Sequence, residues 1–255
     1  MHEEFSRRLA LKSWAAGFLA TPPVSPPVNE AFPAQTAALV REMVSVSHGN
    51  VKRVRELVTA HPALAKASWD WGFGDWETAL GAASHVGNRE IAEFLIANGA
   101  PPTLFSATML GHLDTVKAII AADPGAQRIP GPHSISLLAH AKAGGPAAGA
   151  VYDYLDSMGD AGAPPAVPLT EEEAAVLAGS YKFGAGATDR IQITVNRGQL
   201  SFEREGTVAR GLVHLGERAF HPAGAAAVRI RFAPDDGGIV MTVHDPDLVL
   251  TARRS

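Results

Sequence analysis

Apolar residues between positions 36 and 165 recur with the period of an α-helix. Glycines at 49, 87, 111 and 144 divide this region, and each of the first three is followed by apolar residues five, eight and nine positions later. This spacing places apolar side chains along one face of a helix. The pattern therefore predicts four helical units that pack through these faces.

From residue 169 onward the period of the apolar pattern changes to two. Thr170 and Glu173 are spaced to form a capping box at the start of a short helix. After it, apolar and polar residues alternate between Gly-, Asn- and Asp-rich turns, which is typical of antiparallel strands. About seven short strands are predicted, at residues 190–195, 199–203, 209–215, 219–221, 227–232, 239–244 and 248–252.

The second helical unit resembles an ankyrin repeat. Residues 78–87 read Thr-Ala-Leu-Gly-Ala-Ala-Ser-His-Val-Gly, similar to the ankyrin segment Thr-Pro-Leu-His-x-Ala-Ala-x-x-Gly, and residues 94–100 resemble the closing Leu-Leu-x-x-Gly-Ala. The intervals between the four glycines average close to the ankyrin period of about 33 residues. The resemblance implies an ankyrin-like helical solenoid at 36–165, with Leu80 and Leu95 in its core.

The C-terminal region resembles the small β domain appended to many serine β-lactamase-like hydrolases. The residues that carry the resemblance lie at 177–181, 191–195 and 228–232. The sequence has no Ser-x-x-Lys, Gly-x-Ser-x-Gly or Gly-x4-Gly-Lys motif, so the resemblance transfers no catalytic chemistry. The predicted fold class is therefore α+β, an ankyrin-like solenoid followed at 169–255 by a small antiparallel β-barrel or sandwich with a filled interior.

Residues 1–35 resemble a twin-arginine export signal followed by a proline-rich linker. An Arg-Arg pair at 7–8 precedes a short apolar run at 14–20 and several prolines. This predicts a periplasmic or exported protein. The alternatives are an amphipathic helix packed on the first unit, or an uncleaved signal that tethers the protein to the inner membrane. No later segment is long and apolar enough to span a bilayer.

Composition excludes several function classes. The net charge of −4 and the lack of a basic stripe argue against nucleic-acid binding. The cysteine count is zero, which excludes disulfides, thiolate metal sites and cysteine nucleophiles. We predict no cofactor.

The Trp-rich loop at 68–77 is the strongest candidate for a binding site. Trp offers a flat apolar surface and Asp offers hydrogen-bond acceptors, a composition typical of binding hot spots and sugar sites. His85, His133 and His140 come from successive loop or inner-helix positions of the predicted units and are further candidates beside Asp70 and Asp75. The sequence contains no paired His motif that would predict a metal site. His140 replaces a small core residue of the ankyrin pattern, which favours a structural role for it. The candidate binding residues are Trp69, Asp70, Trp71, Asp75, Trp76, Glu77, His85, His133 and His140.

These observations predict a non-catalytic protein-binding or assembly module of the bacterial periplasm, whose partner is another exported protein. A stabilising partner of a neighbouring exported enzyme fits the same features. The alternative is a receptor for a small ligand, a saccharide or peptide, or a hydrolase-like enzyme that uses the Trp loop with His85, His133 and His140. This alternative predicts that the imidazoles converge within hydrogen-bond reach of one another.

Overall fold

The helical region folds into pairs of helices at the predicted positions. The computed structural model describes residues 34–164, 167–196, 198–245 and 248–255. Most helices begin at a Thr, Asn or Ser whose side chain accepts a backbone N–H of the first turn, which satisfies a group the helix leaves free. The helices are α1 Ala37–Val46, α2 Val51–Ala60, α3 Ala79–His85, α4 Arg89–Ala97, α5 Leu104–Leu110, α6 Leu113–Ala122, α7 Leu137–Ala143 and α8 Gly149–Met158.

The arrangement of these helices differs from the predicted ankyrin-like solenoid, so that part of the fold-class prediction is wrong. In a solenoid each repeat contacts only its neighbours. Here α3 contacts both α5 and α7, which belong to the next two pairs. Glycine permits this close packing: Gly87 has a φ of +76°, and a Cβ there would clash with the backbone of Ala143 at the end of α7. The broader α+β class is partly consistent with the structure, which combines helices with an antiparallel barrel.

Two apolar cores hold the helices together. One lies between the first two pairs and includes Met43, Leu57, Leu80 and Leu95. The other lies between the last two pairs and includes Leu155. Leu80 and Leu95 are 2% and 0% exposed, which confirms their predicted place in a core.

A two-stranded hairpin connects the first and second helix pairs. It consists of β1 Ser68–Asp70 and β2 Trp76–Thr78, with Trp69 opposite Glu77 in the antiparallel register. The hairpin therefore contains the Trp-rich loop at 68–77.

The C-terminal region is a closed antiparallel barrel. It follows α9 Glu171–Leu177, which has the predicted Thr170–Glu173 capping box. The barrel contains eight strands in the order β10-β3-β4-β5-β6-β7-β8-β9, one more than predicted, because the four-residue strand β3 was missed. The strands are β3 Gly179–Lys182, β4 Arg190–Asn196, β5 Gln199–Arg204, β6 Arg210–Gly216, β7 Ala219–Pro222, β8 Arg229–Asp235, β9 Gly238–Asp245 and β10 Leu248–Arg254.

Large side chains fill the interior of the barrel, as predicted. Tyr181 and Phe220 are fully buried, and Phe232 packs against both rings. The hydroxyl of Tyr181 donates a hydrogen bond to the carbonyl oxygen of Leu177 at 2.7 Å, so the one polar group of this ring is satisfied. The barrel is therefore a packed core.

The helical region and the barrel belong to one compact unit that extends from Thr36 to Ser255. The signal-like segment and linker predicted at 1–35 lie outside the described residues, apart from Ala34 and Gln35. Within the described ranges, the helices are all too short or too polar to cross a membrane.

Candidate metal centre

The hairpin places two carboxylates on its inner side. Side chains alternate along β2, so that Trp76 is 62% exposed whereas Glu77 is completely buried. Asp75, two residues before Glu77, is also buried at 3% exposure. The indole N–H of Trp71 donates a hydrogen bond to Oε2 of Glu77 at 2.8 Å and holds the carboxylate in place.

Three imidazoles surround the Glu77 carboxylate. Nε2 of His85 lies 2.9 Å from Oε1 and Nε2 of His133 lies 3.4 Å from it, while Nε2 of His48 lies 3.7 Å from Oε2. The Nε2 atoms of His48 and His85 are 3.1 Å apart. One potential ligand atom from each of the four residues lies within 4.8 Å of all the others. Three nitrogens and a carboxylate oxygen therefore face one point.

Two of these histidines are positioned by the same local structure. His48 follows α1 in Ser-His-Gly-Asn and His85 ends α3 in Ser-His-Val-Gly-Asn. In both segments the preceding serine bonds back to the helix: Ser47 Oγ donates to the Met43 carbonyl at 2.7 Å, and Ser84 Oγ to the Leu80 carbonyl at 2.6 Å. Because α1 packs beside α3, the two imidazoles become neighbours.

Hydrogen bonds at the far side of two rings orient their Nε2 atoms. Nδ1 of His48 lies 3.0 Å from the carbonyl oxygen of Ser45, and Nδ1 of His133 lies 2.6 Å from Oδ2 of Asp75. Both oxygens act as acceptors, so each Nδ1 carries a hydrogen and Nε2 is the atom left to bind a metal ion. A metal-binding histidine is typically fixed by this kind of second hydrogen bond.

Asp75 connects the cluster to the barrel. Its carboxylate accepts the backbone N–H of His133 at 2.9 Å and forms a salt bridge with Arg210 of β6. The Arg210 guanidinium also donates to the carbonyl of Gly72 at 2.9 Å. Gly224 approaches so closely that a Cβ there would clash with the Asp75 carboxylate. Contacts with the barrel therefore fix the position of the loop that contains His133.

The buried Glu77 carboxylate stabilises a positive charge beside it. Burial raises the pKa of Glu77, but the imidazoles of His133 and His85 outweigh it and lower the pKa to about 2. Burial lowers the pKa of His133, but Asp75 and Glu77 raise it to about 9. Glu77 is therefore ionised and His133 carries a proton at neutral pH when no other cation is bound.

One oxygen of the buried carboxylate has no hydrogen bond within the described part of the chain. Nε2 of His85 contacts Oε1 of Glu77 at 2.9 Å, but the two groups are not aligned for a hydrogen bond. A buried, ionised oxygen without a hydrogen bond is costly. A cation placed between Oε1 and the imidazole nitrogens would satisfy it.

The spacing of the donor atoms fits a transition-metal ion. At metal–ligand distances of about 2.0–2.2 Å, neighbouring donor atoms are separated by about 2.9 Å in an octahedron and about 3.3 Å in a tetrahedron. The contacts among the four residues are 2.9, 3.1, 3.4 and 3.7 Å. All four donor atoms lie within 4.8 Å of one another, so the closest pairs already have the spacing of bound ligands and the more distant ones would have to move inward by up to about an ångström.

A cavity of about 230 Å³ borders the cluster at the junction with the barrel. Trp71 and His133 form one wall, and residues 208–211 with Ala223 form the other. A larger depression of about 550 Å³ lies on α2, between Lys52 and Ala60. It is shallow, and the donor cluster is not among its lining residues, so we place the functional site at the smaller cavity.

The structure brings together five of the nine residues selected from sequence: Trp71, Asp75, Glu77, His85 and His133. Trp69 packs against the helical core, and Trp76 points outward. Asp70 accepts the backbone N–H of Gly72 at 2.8 Å.

His140 lies outside the cluster and has the structural environment predicted for it. It is fully buried, its Nδ1 lies 2.9 Å from the Ser136 carbonyl, and its ring packs against Phe105. Burial lowers its pKa, which keeps the ring neutral. The converging imidazoles are thus those of His48, His85 and His133.

Two residues of the cluster and its surroundings, His48 and Arg210, were not among those predicted from sequence. His48 could have been found from the repeated Ser-His, Gly and Asn pattern at 47–50 and 84–88. Arg210 carried no sequence signal, because only the folded barrel brings it to Asp75, 135 residues away along the chain. The expectation of no metal site relied on short paired motifs, whereas these donors come from four separate segments.

No protein-family model matches this chain, and neither does any curated protein or solved structure. Arguments about its function therefore rest on the geometry of the site.

Proposed function

We propose that this protein binds a divalent transition-metal ion through Nε2 of His48, His85 and His133 and the carboxylate of Glu77. The observation that carries the proposal is the completely buried Glu77 carboxylate with three imidazole Nε2 atoms 2.9–3.7 Å from its oxygens. Metal ions are bound by this type of nitrogen and oxygen donor set, with second hydrogen bonds that orient the histidines.

The donor set indicates which ions to expect. Imidazole suits Zn²⁺, Fe²⁺, Co²⁺, Ni²⁺ and Cu²⁺, whereas Mg²⁺ and Ca²⁺ prefer oxygen ligands. The site offers three nitrogens to one carboxylate and, in a chain with zero cysteines, no thiolate. A borderline transition metal therefore fits better than an alkaline-earth ion.

A metal centre next to a cavity favours a small-molecule receptor or enzyme over a protein-binding module. Two of the proposed hot-spot residues, Asp75 and Glu77, are buried, and Trp71 is engaged with Glu77. Protein binding in the periplasm stays a second proposal, supported by Trp76, which is 62% exposed on the outer side of β2.

Isothermal titration of the chelator-stripped full chain with Zn²⁺ tests the proposal. We expect one tight site, and we expect Glu77→Gln and His85→Gln each to weaken binding by more than about 100-fold, because each removes a ligand. His61→Gln is the matched control, since His61 is exposed and lies outside the cluster. The proposal would be contradicted if Glu77→Gln were folded and bound Zn²⁺ with the same affinity as the parent protein.

A further inference from the structure

The proposed ligand set is buried on one side and open on the other. The side chains of Glu77 and His85 are 0% and 10% exposed, whereas those of His48 and His133 are 33% and 29% exposed. Four protein ligands complete a tetrahedral site, whereas an ion that expands to five or six ligands also takes an external one. The solvent access beside His48 and His133 leaves room for that additional ligand.

The cavity lies beside this open side. Two of its lining residues, His133 and Trp71, contact the Glu77 carboxylate directly. The opposite wall comes from residues 208–211 and Ala223, and it is mainly apolar apart from the Arg210 guanidinium, which is paired with Asp75. A volume of about 230 Å³ admits a molecule of a few to a dozen heavy atoms and excludes a folded partner.

The charge of the loaded site favours an anion. A divalent ion with Glu77 and three neutral imidazoles has a net charge of +1, and the Asp75 and Arg210 charges cancel in their salt bridge. Because the surroundings are partly apolar, they screen this charge less than bulk water would. An anionic oxygen donor would neutralise it.

The backbone beside the cavity is strained in a way typical of binding sites. His133 and Ser134 both have left-handed φ angles, +58° and +61°, although neither is glycine. Such residues persist where the surroundings hold them, and they concentrate at ligand sites. Here Asp75 holds His133, and the Ser134 hydroxyl accepts the backbone N–H of Gly224 at 2.7 Å.

On the basis of the proposed metal centre, we infer that the cavity binds a small organic carboxylate. One carboxylate oxygen takes the open coordination position beside His133. The flat apolar body of the ligand packs between the Trp71 indole and the barrel residues Ala209 and Gly211.

Anion titrations of the Co²⁺-loaded full chain, followed by visible absorption, test this inference. Azide probes the open coordination position, and the comparison of benzoate with acetate probes the apolar cavity. We expect all three anions to change the Co²⁺ bands, and we expect benzoate to bind about tenfold more tightly than acetate because its ring is buried against Trp71.

Ala209→Trp should abolish the preference for benzoate by filling the cavity, while azide still changes the spectrum. Ala233→Trp is the matched control, since Ala233 is an exposed alanine of β8 that does not line the cavity. The inference would be overturned if azide left the Co²⁺ absorption bands unchanged, or if Ala209→Trp kept the parent protein's preference for benzoate over acetate. Neither result would contradict the metal centre. Failure of Co²⁺ to bind would overturn the proposed function itself.

Discussion

The interior of the barrel and the carboxylates of Glu77 and Asp75 are both buried, yet the two regions depend on different forces. The barrel interior is built from apolar and aromatic side chains such as Phe220 and Met241, which need only to be removed from water. Glu77 and Asp75 instead place two carboxylates in the interior, where each requires a cation. The barrel interior therefore needs no charged partner, whereas the buried carboxylates of the cluster need a proton, Arg210 or a metal ion to balance their charge.

The largest expected effect that separates the two regions comes from Phe220→Ala. Phe220 is fully buried among barrel residues, so its truncation should lower the free energy of unfolding by about 3–5 kcal/mol. Zn²⁺ affinity should stay within about twofold, because Phe220 is not part of the donor cluster. Urea unfolding and Zn²⁺ titration measure the two effects. A tenfold loss of Zn²⁺ affinity in the folded variant would show that the regions are not independent.

The pH dependence of stability should come from the cluster. In the metal-free protein the pKa of His133 is about 9, above its ordinary 6.5, so its stabilising contribution is complete below pH 6.5 and is lost as the pH rises through 9. The pKa of Glu77 is about 2, below its ordinary 4.5, so its contribution is complete above pH 4.5 and is lost as the pH falls through 2. Stability from these groups should be greatest between pH 4.5 and 6.5.

Urea unfolding of the metal-free protein at pH 5.5 and 9.5 tests this expectation. The loss at the higher pH should reach at most about 3 kcal/mol and should shrink in His133→Gln. Phe220→Ala should retain the full pH difference, since it changes only the barrel. Zn²⁺ affinity should rise over the same interval, because the ion must displace the His133 proton. A pH difference unchanged in His133→Gln would assign it to other groups.

A smaller effect should follow from Asp75→Asn, which alters the support of a ligand without removing one. Asp75 orients His133 by accepting a hydrogen bond from Nδ1, and its carboxylate also forms a salt bridge with Arg210. We expect Zn²⁺ affinity to fall about 10–100-fold, the range typical of second hydrogen-bond partners. Asp70→Asn serves as the control, since Asp70 lies in the same hairpin but outside the cluster. Equal affinities in the two variants would contradict a supporting role for Asp75.

Local patterns were enough to predict most elements of this fold, although strands β1, β2 and β3 were missed. The helical period and the capping residues located the helices, and the alternation of apolar residues located seven of the eight barrel strands. The arrangement of the helices was predicted wrongly because it depends on close contacts, such as that of Gly87 with Ala143, which no periodicity encodes.

Only part of the site was predictable, because local patterns identify candidate residues but not which of them meet in the fold. The candidate residues from the predicted loop at 68–77 included Asp75 and Glu77, and the candidate histidines included His85 and His133. That these residues meet His48 depends on how α1, α3 and the turn at Pro132–Ser134 pack together. Donors spaced over 85 residues, from 48 to 133, form no sequence motif, so their convergence became visible only in the structure.

X-ray absorption spectroscopy of the Zn²⁺-loaded full chain tests the central claim most directly, because it counts the imidazoles bound to the ion. The proposed site predicts three imidazole nitrogens and at least one oxygen at about 2.0–2.2 Å. Glu77→Gln should bind weakly and lose an oxygen neighbour. A shell with at most one imidazole, or one made of water oxygens alone, would contradict the assignment of His48, Glu77, His85 and His133 as a metal centre.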